Sequence, residues 1–149
     1  QLINAYHKYG GTILGAIKTD NEKDTKRFGY AKGKEVAPGV IEVSEVVEKP
    51  GPGMAPSNLA VVSGNLFTPE VFPYLEQAVK NISGREPNYI DALSAMIKNK
   101  KGKVYAIELE NARYFDCGSK SGYLEAIIEF GLIHPETKDN LLQYLQNRK

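Results

Sequence analysis

Leu2, Ile3, Ala5, Tyr6 and Tyr9 recur at helical spacing and stop at Gly10-Gly11, a pair suited to ending a helix. Thr12-Ile13-Leu14-Gly15-Ala16-Ile17 follows as an unbroken apolar run of strand length. A helix, two glycines and a buried strand make the rhythm of a layered α/β fold. Residues 19–27 are polar and charged and read as a loop or short exposed turn. Phe28-Gly29-Tyr30-Ala31 predicts a short strand carrying a glycine, and Lys32-Gly33-Lys34-Glu35 a turn. From Ile41 to Glu48 apolar and polar positions alternate, as in a half-buried strand. Pro50-Gly51-Pro52-Gly53-Met54-Ala55-Pro56 suits neither a helix nor a sheet interior and reads as a structured loop.

Beyond that loop, Asn58 to Phe67 predicts a second apolar strand. Thr68-Pro69-Glu70 carries the marks of a helix start: a capping Thr, Pro at the first helical position and an acid in the first turn. Val71, Phe72, Leu75 and Val79 form the expected buried face of that helix. A further helix is predicted from Asn88 to Lys98, a strand over Val104–Leu109, and a turn at Cys117-Gly118-Ser119. Helices over Gly122–Phe130 and Asn140–Gln146 complete the pattern, which shows no internal repeat.

Composition narrows the function classes. The 149 residues are expected to form one domain, able to bury roughly 68–70% of its unfolded surface without a disulfide or metal staple. Nineteen basic against eighteen acidic residues give a net charge of +1, which argues against bulk attraction to nucleic acid or acidic membranes. A local phosphate site remains compatible with that balance. No apolar run approaches the ~18 residues of a spanning helix and no signal-peptide pattern is present, so a cytoplasmic protein is expected. The chain opens on a helix already under way, without Met or a capping residue, which predicts a piece of a longer protein. Cys117, being single, forms no internal disulfide and reads as a small buried hydrophobe, while His7 and His134 read as surface residues.

Three places carry more polar specificity than packing demands. Glu48-Lys49-Pro50 ends a strand, where open α/β sheets place ligand groups; the lysine supplies a point charge for phosphate. In a regular strand the adjacent Glu48 points to the opposite face, and the same pair also reads as a solvated ion pair closing a strand. Asp116 stands before a glycine turn and suits a hard divalent cation such as Mg²⁺, which takes one or two carboxylates plus substrate phosphates. The alternative is Asp116 as the cap of the helix starting near Ser119–Gly122. Gly29, inside a strand, marks a bulge or a close approach by a ligand.

Several blocks together resemble one family. Val46-Val47-Glu48-Lys49-Pro50, Ala55-Pro56-Ser57-Asn58-Leu59-Ala60-Val61-Val62-Ser63-Gly64, Leu66-Phe67-Thr68-Pro69-Glu70 and Phe115-Asp116-Cys117-Gly118-Ser119-Lys120-Ser121-Gly122 are similar, in order and spacing, to the bacterial UTP–glucose-1-phosphate uridylyltransferases. The resemblance runs over nearly the whole chain. It implies the carboxy-terminal part of a doubly wound, Rossmann-like α/β nucleotidyltransferase fold, a mixed sheet flanked by helices. It also implies formation of UDP-glucose and pyrophosphate from UTP and glucose 1-phosphate with Mg²⁺. By the same resemblance Glu48 matches the acid on the sugar hydroxyls, and Lys49 matches the cation on the sugar phosphate. Gly29 matches the glycine that lets the backbone approach the sugar, Asn58 and Val62 fall in the block lining the sugar pocket, and Asp116 matches a metal aspartate. The family's glycine-rich nucleotide loop and its first metal aspartate have no counterpart here, so the chain alone is expected to be inert.

In two places the residues depart from the family's pattern. Asn65 stands where the family usually has Arg, and Glu86-Pro87-Asn88-Tyr89-Ile90-Asp91-Ala92 replaces a Glu-Ile-Gln-Leu-Thr-Asp-Ala stretch. The alternatives are another sugar-1-phosphate nucleotidyltransferase or a non-catalytic sugar-nucleotide-binding module. Exposed strand edges and apolar surface then predict self-association or a complementing amino-terminal segment.

Overall fold

In a computed structural model of the chain, residues 1–148 are described. Helix α1 (Leu2–Tyr9) ends at Gly10 and Gly11, both at positive φ, and feeds β1 (Thr12–Lys18). A 3₁₀ turn over Glu22–Lys26 leads to β2 (Gly29–Ala37), β3 (Val40–Glu48) and β4 (Leu59–Leu66). Helices α2 (Phe72–Asn81) and α3 (Tyr89–Lys98) precede β5 (Val104–Glu108), and α4 (Lys120–Ile133) and α5 (Lys138–Gln146) follow.

The five strands hydrogen-bond in the order β1-β4-β2-β3-β5 and close into a small barrel. β1 and β5 run parallel and the other neighbours antiparallel, so the sheet is mixed, as expected. Closure overturns the expectation of exposed strand edges. β5 bonds β1 on one side and β3 on the other, and β4 bonds both β1 and β2.

Alternation along the strands divides the apolar residues between two packing layers. Leu14, Ala16, Val61, Val104 and Ala106 pack with Leu93 and Met96 of α3. Their sequence neighbours Ile13, Tyr105 and Ile107 pack with Ala5 of α1.

Two local expectations are corrected. Lys32–Glu35 is strand, not turn: β2 continues to Ala37 and the chain reverses at Pro38-Gly39, where Gly39 has φ 69°. Pairing with β3, including a Lys32–Glu45 ion pair at 3.0 Å, extends the hairpin through polar residues that propensity alone would leave irregular. In the helix after Thr68, Val71 is buried but Phe72 and Val79 are 60% and 68% exposed. The helix enters through a 3₁₀ turn at Pro69–Val71, whose tighter winding advances each residue about 20° further than an α-helix and rotates the apolar face. Thr68 makes no side-chain cap; it is buried, and its N–H donates to Thr12 Oγ1 at 3.2 Å.

The chain divides into two compact units, one over Gln1–Asn111 and the other from Ala112 onward. The second holds α4 and α5. In α4 Ala126 is buried, whereas Leu124, Phe130 and Ile133 are mostly exposed. No helix among the described residues is long and apolar enough to cross a membrane.

Candidate functional site

A regular strand would send Glu48 and Lys49 to opposite faces. Lys49 instead leaves β3 at φ 46°, in the left-handed region, while its N–H donates to the Phe28 carbonyl at 3.1 Å. This change of direction breaks the alternation, and Lys49 Nζ lies 3.7 Å from Glu48 Oε1. An ordinary L-residue in this conformation costs about 1–2 kcal/mol, and such strain concentrates where a side chain must be aimed. The pair is half-exposed and contributes only about 0–1 kcal/mol to stability. Its chemistry is therefore open to a ligand: an acceptor-only carboxylate beside a donor-only cation.

Gly29 sits opposite Glu48 in the β2–β3 ladder. A β-carbon there would come within 3.0 Å of both Glu48 Oε2 and Val46 Cγ1, and within 3.5 Å of Ile90 Cδ1. The missing side chain leaves the Glu48 carboxylate its room. Across β4, Gly29 pairs with Val61, which belongs to the α3-facing core.

The other two residues of the expected sugar block lie elsewhere. Val62 is the buried neighbour of Val61 and alternates away from it along the strand. Asn58 lines a polar pocket of about 240 Å³ with Asp20 and Tyr30, and Glu48 and Lys49 are not part of its wall.

Two residues that the sequence marked only as departures from the family's pattern interact with each other, and one of them feels the Glu48 charge. Tyr89 opens α3 and packs edge-on against Phe67, with ring centroids 5.6 Å apart. Burial raises its phenol pKa above the ordinary value, the Asn65 amide opposes that shift, and the Glu48 charge reinforces it. Tyr89 therefore keeps a neutral hydroxyl that feels the Glu48 charge. Asn65 is itself held, its Oδ1 accepting the Gly15 N–H at 3.2 Å.

The start of α3 is built to hold this position. Asn88 and Asp91 form a reciprocal capping box, and Arg85 clamps Asp91 through bonds of 2.6 and 2.9 Å. That Arg85 bond, then the Asn88 N–H, hold the Asp91 carboxyl below its usual range. The available signal was the Asn-x-x-Asp spacing, which places an aromatic at the first helical position.

Asp116 belongs to the second unit. Its Oδ1 accepts the Gly118 N–H at 3.1 Å, and its carbonyl accepts from Ser119 N and Oγ, both at 3.1 Å. Ser119, rather than Asp116, caps α4, its Oγ accepting the Gly122 N–H. A β-carbon at Gly122 would meet the Asp116 carbonyl oxygen at 2.3 Å, so the absent side chain lets the helix start against the turn. Cys117 is exposed, not buried as expected, because it rides the outside of this turn. His7 and His134 are exposed, as expected. No group of three His, Cys, Asp or Glu side chains able to hold a metal occurs among the described residues.

Residues 1–130 match the nucleotidyl transferase family. The chain is 37% identical over 146 residues to the UTP–glucose-1-phosphate uridylyltransferase of Staphylococcus haemolyticus, spanning 98% of this chain and 49% of that protein. It is 35% identical to UTP–glucose-1-phosphate uridylyltransferase 2 of Staphylococcus saprophyticus, spanning 100% of this chain and 50% of the relative. Among solved structures, a UTP-bound UGPase from Acinetobacter baumannii superposes with a TM-score of 0.81 at 26% identity, over 99% of this chain and 49% of that one. A UDP-glucose pyrophosphorylase complexed with UDP-glucose gives 0.71 at 32% identity, over 85% and 46%. The chain thus spans about half the length of the curated relatives it matches.

Proposed function

The chain belongs to the nucleotidyl transferase family, and we propose that it supplies the sugar-phosphate side of a site that joins UTP and glucose 1-phosphate into UDP-glucose and pyrophosphate. The observation that carries this reading is the left-handed turn at Lys49, which sets an ammonium and a carboxylate side by side at a strand end. Glu48 accepts hydrogen bonds from sugar hydroxyls in the space beside Gly29, and Tyr89 adds a neutral donor there. Lys49 binds the sugar phosphate and neutralises part of its charge. Asn58 and Val62 are left out of this pocket, because Asn58 lines a separate polar pocket and Val62 alternates away from Val61 along β4. In the reaction a phosphate oxygen of glucose 1-phosphate attacks the α-phosphorus of UTP, and the bond to the leaving pyrophosphate breaks in line. Such a displacement calls on the protein for positioning and charge stabilisation more than covalent chemistry.

Asp116 is the residue proposed to hold Mg²⁺. One carboxylate with hydrogen-bonded geometry suits an ion that completes its shell with phosphate oxygens and water. When bound, the ion supplies charge neutralisation on the phosphates. The same reading places the protein in the cytoplasm and expects a homo-oligomer or a complementing amino-terminal segment, in keeping with the exposed apolar residues of α4.

Calorimetry of the chain with glucose 1-phosphate tests the proposal. Saturable binding that Lys49→Ala weakens about tenfold, the worth of one charge-assisted hydrogen bond, is the expected result. Absence of binding, or an unaffected Lys49→Ala variant, overturns it. A panel of sugar 1-phosphates separates glucose from other sugars. A pyrophosphate-release assay is expected to show no turnover by the chain alone.

A further inference from the structure

A groove in the first unit lies away from the residues just described. It runs between the β2–β3 hairpin and the turn joining α3 to β5, with a volume of about 910 Å³. Five lysines line it, Lys32 and Lys34 from the hairpin and Lys100, Lys101 and Lys103 from the turn, against a single acid, Glu42. Setting these aside from the 19 basic and 18 acidic residues of the chain leaves 14 basic and 17 acidic residues elsewhere. The groove therefore carries the positive charge of a chain whose remaining surface is net negative.

The lysines fall into two groups. Lys32 is tied to Glu45 at 3.0 Å and Lys103 to Glu42 at 3.6 Å, which leaves both at the walls. Lys34, Lys100 and Lys101 have no acidic partner within 4 Å among the described residues. The turn that presents the last two is fixed by backbone bonds, Lys100 N–H to the Ile97 carbonyl at 3.0 Å and Lys101 N–H to that of Met96 at 3.2 Å. Lys100 sits at φ 54°, where glycine would be the easier residue.

A lysine at the end of a helix is ordinarily explained by the helix dipole. That explanation reaches one turn of α3 and does not account for Lys32 and Lys34, which come from a different element and face the same groove. Like charges gathered on two walls repel one another until an anion lies between them. Ammonium groups act as point charges suited to phosphate, and the volume falls in the range of small-molecule sites. An extended polyanion such as nucleic acid would run onto the net-negative remainder of the surface, whereas a compact one would not.

We propose that this groove is a second binding site, taking a compact small molecule that bears several phosphate groups. It is independent of the sugar-phosphate reading, because none of Gly29, Glu48, Lys49, Asn65 or Tyr89 lines it.

The test titrates the chain with inorganic tripolyphosphate, which has neither base nor sugar, at constant ionic strength. Affinity is read by calorimetry and location by amide chemical shifts. Saturable one-to-one binding with the largest shifts at Gly33 and Gly102 is expected. The triple variant Lys34→Gln/Lys100→Gln/Lys101→Gln should weaken it at least tenfold. Lys18→Gln/Lys23→Gln/Lys26→Gln, which removes the same charge from exposed lysines elsewhere, should change it less than twofold, as should Lys49→Ala. Equal losses in the two triple variants would reduce the effect to bulk charge and overturn the proposal. Shifts centred on Lys49, or binding abolished by Lys49→Ala alone, would overturn it by assigning the anion to the sugar-phosphate site. Binding that never saturates overturns it as well. If the triple variant does not fold, the wild-type shift map still decides: shifts centred on Gly33 and Gly102 support the groove, and shifts centred elsewhere overturn it.

Discussion

Lys49 combines a strained backbone with an exposed charge, so two substitutions at one position separate the two contributions. Lys49→Ala removes the ammonium but leaves an L-residue at φ 46°, keeping the penalty of about 1–2 kcal/mol. Lys49→Gly removes the ammonium and the penalty together, at the cost of a more flexible unfolded chain, about 0.4–1 kcal/mol. The ion pair lost in both is half-exposed and worth about 0–1 kcal/mol, which cancels in the comparison. Lys49→Gly should therefore be more stable than Lys49→Ala by about 0.5–1 kcal/mol, a Tm difference of about 1–4 °C for a chain of this size. Urea unfolding of both variants, alongside calorimetry with glucose 1-phosphate, checks the two halves of the argument. Both variants should bind the sugar phosphate about tenfold more weakly than the unaltered chain. A glycine variant no more stable than the alanine one would refute the strain argument. A glycine variant that binds normally would remove the lysine from phosphate recognition.

Three further outcomes are expected. Asp91→Asn should cost about 1 kcal/mol at pH 7 through loss of the charged half of the α3 capping box and of the Arg85 clamp, measured by urea unfolding. Because the Asp91 pKa is lower folded than unfolded, its contribution is complete above the ordinary carboxylate range near pH 4. It fades as the pH falls through the depressed value, so the variant should lose less stability than the unaltered chain between pH 5 and pH 2. Leu93→Ala, at a fully buried position against the barrel, should cost about 2–5 kcal/mol; a loss below 1 kcal/mol would place the core elsewhere. Gly122→Ala should push the start of α4 off the Asp116 carbonyl, seen as faster amide exchange at Gly122 and Tyr123 with β1 protection unchanged.

Much of the chemistry was legible in one dimension. Glu48, Lys49 and Gly29 were marked by motif and position, and the structure brings these three together. Asn58 and Val62 carried the same block signal, yet Asn58 lines a different pocket and Val62 alternates away from Val61. A sequence block states which residues travel together along the chain and leaves open which face each one takes. Tyr89 and Asn65 escaped notice as site residues because neither is adjacent to Glu48 in sequence. That Tyr89 feels the Glu48 charge depends on α3 being docked on the barrel against β3.

By itself the sequence determined the order of helices and strands, the helix from Asn88 to Lys98, the glycine stop after α1 and the chemical types available at the end of β3. These depend on interactions a few residues long, which local spacing and propensity encode. Only the tertiary structure decided that β2 extends to Ala37, that β1 and β5 close the sheet, that the α2 face rotates, and that lysines from a hairpin and a distant turn face one groove. Each of these is set by backbone pairing or packing between segments tens of residues apart. The balance of such contacts against local preference exists only once the chain is folded.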